Sequence, residues 1–379
     1  MEHPTMDQLA TLPLRPADAE RRSDPATELS PEGVAAMFGI ADLADRLAAV
    51  DDRITDALGH NGALLGPASV RVASSGGKRL RPLFTIVTAA TRDVFDDRVV
   101  DAAAAIELVQ VGSLVHDDIL DDAATRRGRP TINAVEGVNH AVLAGDYILA
   151  RAAELAARVS QEAAGLIAAA LGDLCEGQVL EMCDVYDPDR TVDAHVESVR
   201  GKTAALFECA CRLGAHCAGL PPHNATALAR FGAAFGMGFQ VLDDVLDLIG
   251  DAERLGKPTG SDLAGGVYTL PVIAALQGPF GDELRRLLPG PTADGPGAAG
   301  SDAAQDPGPA LELVRRSGAI AEALATMDRY AHEARRTVAH LDQTSVGGGL
   351  GAFPRTYTTW ALEALMDRRY LEIPLTACG

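Results

Sequence analysis

The sequence predicts an all-α protein, and its composition and its apolar spacing both lead to that prediction. Hydrophobic residues make up 47% of the 379 residues but aromatic residues only 4%, so the core must consist mostly of Ala, Leu and Val. That mixture is typical of closely packed helices. Apolar residues also recur at helical spacing along most of the chain. No uncharged apolar run of about 18 residues and no signal pattern at the start is evident, which predicts a soluble, cytoplasmic protein without a transmembrane segment.

The charge balance limits the class of partner. The chain has 33 basic and 53 acidic residues and a net charge of −20. Duplex DNA and RNA are bound through clustered Lys and Arg, so a nucleic-acid partner is excluded. An anionic ligand would need a local basic pocket.

The cysteines predict neither a zinc site nor a disulfide framework. Their spacing contains no C-x-x-C pair, and most of them occur in Ala- and Leu-rich helical sequence. We interpret them as small buried residues. They are Cys175, Cys183, Cys209, Cys211, Cys217 and Cys378.

The first 30 residues are rich in Pro, Arg, Asp, Glu and Thr without periodicity, which predicts a disordered leader. Ser30, Pro31 and Glu32 then form a helix-start signal, with a capping hydroxyl and a proline at the first helical position. A helical repeat follows over residues 34–65. Two buried helical patterns fill residues 83–121.

Four carboxylates crowd the end of the second of these helices, at Asp117, Asp118, Asp121 and Asp122. On a helix, Asp117 and Asp121 share one face, one turn apart. Two charges about 5 Å apart repel by roughly 3 kcal/mol at an effective dielectric near 20, so the cluster needs compensation. Either the group is spread into water, or it binds hard cations such as Mg²⁺.

Further helices are predicted over residues 141–159, 161–186, 192–213 and 231–251. The last carries Asp243, Asp244 and Asp247, which repeat the i, i+1, i+4 spacing of the first cluster. One acidic cluster is usually a solvated helix face. Two clusters of equal spacing within apolar sequence instead predict helices that line opposite walls of a cavity and share metal ions.

The remainder of the chain alternates loops with helices. A Gly- and Pro-rich loop at residues 256–262 could close over the cavity, and residues 289–309 are a low-complexity insertion expected to be mobile. Helical periodicity resumes over residues 311–341, and a second flexible break near residues 345–353 precedes a last helix around residues 357–370. We therefore predict a single all-α domain over residues 31–379 with two flexible insertions.

Two short segments carry positive charge. Residues 74–82 combine glycines with Lys78, Arg79 and Arg81, a pattern that could cradle a phosphate or form a solvated basic loop. Arg126 and Arg127 follow the first acidic cluster. Arginines beside metal-binding acids suggest a substrate that carries several phosphates, because the guanidinium contacts phosphate in a bidentate way.

These motifs, in this order, resemble the trans-isoprenyl diphosphate synthase, or polyprenyl synthetase, family. The resemblance covers roughly residues 40–280. It implies a homodimeric, isoprenoid synthase-type helical bundle around a deep central cavity. The motifs that carry it are Gly77 to Pro82, Asp117 to Asp121, Arg126-Arg127-Gly128, Gly145-Asp146, Lys202-Thr203, Phe239-Gln240 and Asp243 to Asp247.

The resemblance also implies roles for individual residues. Asp117, Asp121 and Asp243 are the main Mg²⁺ ligands, several ions being bound per site, with Asp118, Asp244 and Asp247 in support. The allylic diphosphate is bound by Arg126, Lys202, Thr203, Gln240 and Lys257. Isopentenyl diphosphate is bound by Lys78, Arg81, Gln110 and Arg127.

The implied reaction condenses isopentenyl diphosphate with an allylic diphosphate to give an all-trans polyprenyl diphosphate. Metal ions and cations stabilise the leaving diphosphate, and an allylic carbocation is attacked by the second substrate's double bond. His116 is interpreted as a packing neighbour. The sequence departs from the family at Val267, where many members carry a Lys, and at Gly265, where an acidic residue is common.

The residues just before the first acidic cluster predict a product longer than C15. Ser113 and Gly112 lie four and five positions upstream of Asp117, roughly 6 to 7.5 Å below the metal site on a helix. Neither can block a growing tail as Phe or Tyr would. A C20 product, including geranylgeranyl diphosphate, and longer chains both satisfy this expectation.

Two other functions remain open. A terpene cyclase shares the fold but usually lacks the second Asp cluster and the basic loop. A non-catalytic regulatory subunit of a heteromeric prenyl synthase typically loses the Asp clusters or the basic pocket. In this sequence both Asp clusters and the basic loop are present.

Overall fold

The computed structural model describes residues 30–59, 64–255, 258–288 and 307–367, and these residues are helical almost throughout. Most buried apolar side chains from Phe38 to Met366 form one core, and Val199, Ala204 and Met237 form a small second cluster. The helices are α1 Pro31–Phe38, α2 Leu43–Gly59, α3 Gly66–Ala73, α4 Leu80–Ala90, α5 Asp97–Leu120, α6 Ile132–Glu136, α7 Val138–Val159, α8 Gln161–Cys183, α9 Val192–Val199, α10 Ala205–Cys217, α11 Pro222–Ile249, α12 Ala252–Leu255, α13 Ser261–Ala264, α14 Leu270–Gln277, α15 Gly281–Leu287, α16 Gly308–Arg316, α17 Ala319–Val338 and α18 Ser345–Leu365.

Helix α5 lies in the middle of the bundle and ends at the first acidic cluster. The Asp96 carboxylate caps its start by accepting the backbone N–H groups of Arg98 and Val99, both at 3.1 Å. Every residue from Val99 to Val109 is buried, because α2, α4, α7 and α10 surround the helix. A helix that is enclosed on all sides needs no polar face.

Helix α11 carries the second acidic cluster and packs against α10 and α17. The helices α10 and α11 approach closely at Gly232, where a Cβ atom would overlap the carbonyl oxygen of Phe207. An aromatic cluster lies beside this contact, with the Phe84 ring 4.7 Å from Phe235 and 5.6 Å from Phe353, centroid to centroid. This aromatic cluster includes Phe235 of α11, two turns before Asp243.

A π-helical turn, Arg200–Ala204, interrupts the helix predicted over residues 192–213. It contains Lys202 and Thr203. Gly177 of α8 lies so close that a Cβ atom there would overlap the Lys202 backbone nitrogen. Because π turns are frequent at functional sites, this one marks the surroundings of Lys202.

Two long helical predictions were wrong in detail. The repeat over residues 34–65 is divided by Gly39, which ends α1 in a left-handed conformation with φ 65°. The expected helix start is confirmed, since the Ser30 hydroxyl accepts the Gly33 N–H at 3.0 Å. The repeat over residues 311–341 is divided at Gly318, whose φ is 86°. Glycine adopts such positive φ values without steric cost, so each turn follows from residue type.

The flexible break predicted near residues 345–353 was also wrong. Residues Ser345–Leu365 form the helix α18, capped by the Thr344 hydroxyl, which accepts the Gly347 N–H at 3.0 Å. Its glycines provide close packing: a Cβ atom on Gly349 would lie 2.6 Å from the Met37 carbonyl oxygen. The leader and most of the 289–309 insertion lie outside the described residues.

The prediction for the cysteines holds for part of the set. Cys209, Cys211 and Cys217 are buried, and burial raises the pKa of Cys209 and Cys211 to about 12. Cys175 and Cys183 are exposed on α8, contrary to the prediction, and all five are free thiols. Cys378 lies outside the described residues.

Within the described residues, two helices are long and apolar enough to cross a membrane by composition, α5 and α8. In α5 the apolar stretch is 83% buried, as expected for the core helix of a soluble protein. In α8 the share is only 28%. Helix α8 therefore presents an apolar face at the surface.

Candidate active site

The first acidic cluster lies where α5 ends. Asp117 is half-buried, Asp118 is only 3% exposed, and Asp121 is exposed at the end of the helix. Burial raises the pKa of Asp117 and of Asp121, and the positive charges of Lys202 and Arg126 offset part of that rise. The two cations therefore face the carboxylates that share one side of the helix.

Asp118 has a different environment from Asp117. Its carboxylate accepts a hydrogen bond from Arg126 Nε at 2.5 Å, and its backbone carbonyl accepts one from the Asn133 amide at 3.2 Å. Burial raises the pKa of Asp118 although Arg126 opposes the shift. Asp118 thus holds Arg126 and the segment after the helix in place.

A short hairpin positions the arginines. Strands β1 Thr125–Arg126 and β2 Arg129–Pro130 are antiparallel, with Arg126 paired with Arg129. The two turn residues, Arg127 and Gly128, have φ values of 52° and 70°. Two positive φ values in a two-residue loop are the geometry that fits the twist of a hairpin. The turn brings the Arg127 guanidinium against Gly77, where a Cβ atom would be 3.0 Å from it.

Lys202 is held beside the first cluster by a residue that sequence reasoning missed. Its ammonium donates to Glu181 Oε1 of α8 at 2.6 Å. Burial lowers the pKa of Lys202, but Glu181, Asp117 and Asp121 together outweigh that effect and raise it. Glu181 offers no recognisable motif, so only the packing of α8 onto the π turn reveals it.

The second acidic cluster has one open and two enclosed carboxylates. Asp243 is exposed, whereas Asp244 and Asp247 are each 1% exposed. Asp247 accepts hydrogen bonds from the Ser261 hydroxyl at 2.6 Å and from the Asp262 N–H at 3.2 Å. The predicted ligand Asp247 therefore anchors the start of α13, and the structure directs only Asp243 outward.

Asp244 ends a chain of hydrogen bonds that begins at the π turn. The Thr203 hydroxyl donates to Gln240 Oε1 at 2.8 Å, and Gln240 Nε2 donates to Asp244 at 3.0 Å. The buried imidazole of His195 lies 3.3 Å from the other Asp244 oxygen. Thr203 and Gln240, both predicted to contact the allylic substrate, thus connect the π turn to α11.

The basic group of the site consists of Lys78, Arg81 and Arg127. Lys78 Nζ donates to Tyr357 Oη at 2.9 Å. Burial lowers the pKa of Lys78, Asp243 opposes this effect and Arg127 adds to it. Lys78 therefore lies within the electrostatic influence of both Arg127 and Asp243.

Arg81 lies deeper in the same group. Its guanidinium is 4.5 Å from the centre of the Phe207 ring, and in the described part of the chain its Nε has no hydrogen-bond partner. Burial lowers the pKa of Arg81 to about 10, with Glu107 opposing the shift. A desolvated cation with an unsatisfied donor suits an anionic ligand.

The remaining residues predicted to bind substrate lie on α5 or outside the described residues. Gln110 is half-buried, two turns before Asp117, and Lys257 lies outside the described residues. The Ser113 hydroxyl donates to the Gln110 carbonyl at 2.9 Å. A Cβ atom on Gly112 would lie 2.9 Å from the Leu149 side chain. Gly112 therefore packs on α7. That Gly112 and Ser113 border the path of the tail stays a prediction.

His116 also contacts α7. Its Nε2 lies 3.2 Å from the Val142 carbonyl oxygen and 3.7 Å from the Asp146 carboxylate. It packs against Gly145, where any Cβ atom would overlap the imidazole. This placement agrees with its interpretation as a packing neighbour, and it gives the Gly145-Asp146 motif a structural meaning.

The carboxylates do not form a preassembled metal cage. Across the ranges that the structure covers, no three His, Cys, Asp or Glu side chains are grouped so that they could hold a metal ion. Mg²⁺ is usually bound by one or two carboxylates together with substrate phosphates. Asp117, Asp121 and Asp243 supply oxygen ligands of that kind, so the residues fit Mg²⁺ held jointly with a substrate.

Comparison with known proteins identifies the family. Residues 63–289 match the sequence profile of polyprenyl synthetases. The heptaprenyl diphosphate synthase component 2 of Geobacillus stearothermophilus is 38% identical over 77% of this chain and 88% of its own length. The nonaprenyl diphosphate synthase of Mycobacterium tuberculosis is 37% identical over 73% of this chain and 81% of its own.

A solved structure shows the same architecture. The polyprenyl synthase of Caulobacter crescentus, complexed with calcium and isoprenyl diphosphate, superposes with a TM-score of 0.76 at 30% identity. The match covers 86% of this chain and 97% of the other. The fold is therefore the all-helical isoprenoid synthase fold, as predicted. Together with the ordered motifs, these matches show that the chain belongs to the polyprenyl synthetase family of trans-isoprenyl diphosphate synthases.

Proposed function

We propose that the chain is a Mg²⁺-dependent prenyl diphosphate synthase that condenses isopentenyl diphosphate with an allylic diphosphate to an all-trans product longer than C15. One observation carries the proposal: an accessible Asp of each cluster lies within the electrostatic influence of a cation. Asp117 lies near Lys202, and Asp243 lies near Lys78. Paired acids and bases of this kind suit metal-bridged diphosphates.

The allylic diphosphate would be held at the end of α5. Asp117, Asp121 and Asp243 would hold the metal ions, which neutralise the diphosphate and make it a better leaving group. Lys202 would bind the diphosphate from the π turn, where Glu181 orients its ammonium. Arg126, oriented by Asp118, would bind it from the hairpin. These charges are preorganised for a leaving anion.

Isopentenyl diphosphate would bind at the basic group formed by Lys78, Arg81 and Arg127, with Gln110 nearby on α5. At neutral pH Arg81 stays protonated, because burial lowers its pKa only to about 10. The aromatic rings along α11 would exclude water from an allylic cation and stabilise its charge. No residue is assigned as a strong base; the released diphosphate is a chemically suitable proton acceptor.

The relatives support a product longer than C15, since the two described above are named for heptaprenyl and nonaprenyl diphosphate. The small side chain of Ser113 is compatible with that length. We keep geranylgeranyl diphosphate as the lower bound of the proposed range.

The decisive experiment combines purified protein, Mg²⁺, labelled isopentenyl diphosphate and each of the C5, C10, C15 and C20 allylic diphosphates, followed by product sizing. We expect elongation with at least one primer. Asp117→Ala and Asp243→Ala should abolish it. No elongation with any primer would refute the synthase, and a cyclised hydrocarbon would favour a terpene cyclase instead.

A second candidate is supported by the name of a relative. The Geobacillus stearothermophilus protein is called component 2, which indicates a heteromeric enzyme. Since both acidic clusters and the basic group are present here, this chain would be the catalytic component of such a pair. Activity that appears only after a second protein is added would support this candidate over the homodimer.

A further inference from the structure

Lys78 follows a pair of glycines in the basic loop. Gly76 and Gly77 precede it with φ values of 88° and 150°, which only glycine adopts readily. The next residue, Arg79, is anchored by its side chain, which donates to the Ala73 carbonyl oxygen at 2.8 Å and to Glu107 at 2.8 Å. The Lys78 side chain therefore needs a separate restraint if its ammonium is to hold one position.

That restraint comes from the C-terminal helix α18. Tyr357 Oη accepts a hydrogen bond from Lys78 Nζ at 2.9 Å, although the two residues are 279 positions apart. The ammonium also lies 5.1 Å from the centre of the Tyr357 ring and 5.3 Å from that of Trp360. The contacts combine a charge-assisted hydrogen bond to Tyr357 with a cation–π contact to Trp360.

Tyr357 is itself rigidly held. It is 2% exposed, and its ring centre lies 5.8 Å from that of Phe353 and 5.6 Å from that of Phe235. Phe235 belongs to α11, the helix that carries Asp243. The phenol thus has a fixed position relative to both the basic loop and the second acidic cluster.

We infer that Tyr357 and Trp360 are positioning residues for isopentenyl diphosphate, which act by holding the Lys78 ammonium where the diphosphate binds. This inference rests on the proposed function and adds two residues of α18 to it. An ammonium has three N–H donors. The hydrogen bond to Tyr357 occupies one, so two remain for phosphate oxygens. Holding a flexible side chain in its bound position reduces the entropy lost on binding.

The test compares full-length wild type with Tyr357→Phe, which removes one oxygen and keeps the ring. We expect the KM and the calorimetric Kd for isopentenyl diphosphate to rise about tenfold, the usual effect of losing a hydrogen bond to a charged group. The KM for the allylic substrate and the kcat should each change by less than about twofold. Tyr147→Phe is the matched control. It also removes one phenol oxygen, but that phenol donates to the Leu58 carbonyl oxygen at 2.9 Å and not to a group that contacts Lys78.

Two further variants test whether the effect passes through Lys78. In a Lys78→Ala background, Tyr357→Phe should add almost nothing. Trp360→Leu should also weaken isopentenyl diphosphate binding, but by a smaller factor than Tyr357→Phe does. The inference is overturned if Tyr357→Phe leaves that affinity unchanged or tightens it, or if its effect persists in full without Lys78. Failure of the wild type to elongate any primer would refute the proposed function, while the calorimetric comparison still tests the role of Tyr357.

Discussion

Adjacent aspartates in the two clusters have opposite environments. Asp118 and Asp244 are 3% and 1% exposed and hydrogen-bonded, whereas Asp117 and Asp243 are more accessible. Successive residues of a helix point about 100° apart, so a pair cannot face one cleft together. The helix geometry therefore makes one member of each pair a ligand candidate and the other a buried anchor. The roles of all six aspartates in metal binding remain predictions.

Asp117→Asn should stabilise the protein while it abolishes turnover. Burial raises the pKa of Asp117 more than Lys202 lowers it. A carboxyl group whose folded pKa is raised stabilises the fold below its unfolded pKa, and this stabilisation is lost as pH rises through the folded pKa. At pH 7 the charge is a net cost. We therefore expect the Tm in metal-free buffer to rise by about 1 to 3 °C at pH 7.

The increase in Tm caused by Asp117→Asn should become smaller towards pH 4, because wild-type Asp117 is increasingly protonated there. Asp122→Asn is the matched control, since Asp122 is exposed and its φ of 47° is tolerated by Asn. A lower Tm for Asp117→Asn would mean that attraction to Lys202 exceeds the cost of burial.

Ser113→Phe should shorten the product. Ser113 is 7% exposed and lies one turn before Asp117, so a large ring there would obstruct a tail that passes below the diphosphate. We expect chromatographic sizing to show a shift to shorter prenyl chains, with Ser113→Ala giving the wild-type length. Gly112→Phe is a poor test, because its side chain would collide with Leu149. An unchanged product from Ser113→Phe would place the tail elsewhere.

At the scale of the element, α18 shows why glycines within a helix can be structural. A Cβ atom on Gly347 would overlap the Leu341 carbonyl oxygen, whereas one on Gly348 would have nothing nearer than the Asp342 carbonyl oxygen at 4.0 Å. The two neighbours differ only in the direction that each faces.

Gly347→Ala should therefore destabilise the protein by about 1 to 3 kcal/mol through overpacking. Gly348→Ala should be neutral or stabilising by up to about 1 kcal/mol, because Ala is the better helix former. Urea unfolding of both variants measures the difference. Equal effects of the two substitutions would contradict the close packing of α18 against Leu341.

At the scale of the whole molecule, the apolar face of α7 and α8 is the main unexplained surface. Large hydrophobic side chains there are exposed, including Leu143 at 56%, Val179 at 57% and Met182 at 48%. Patches of this kind mark interaction surfaces. We propose that they form the interface of the predicted homodimer.

The double variant Leu143→Asp, Val179→Asp should then be a monomer by size-exclusion chromatography with light scattering. A buried charge in an apolar interface is strongly unfavourable, so the dimer should be lost. Leu64→Asp is the control, since Leu64 is 85% exposed outside α7 and α8. If the double variant kept the wild-type mass, the interface would lie elsewhere or the wild type would be monomeric.

The sequence by itself determined the all-α class, the two acidic clusters and the family, because each depends on residue spacing along a single helix or on motif order. It also located the basic loop and the Lys202-Thr203 pair. The extent of the single domain stays a prediction.

Only the tertiary structure decided which distant side chains meet. Tyr357 and Lys78 are separated by 279 positions, and Glu181 reaches Lys202 because α8 packs on the π turn. The same limit explains the error at residues 345–353: a run of glycines has the same pattern in a flexible loop and in a closely packed helix. What faces each glycine, and each aspartate of a pair, is set by the neighbouring helices that the chain brings into contact.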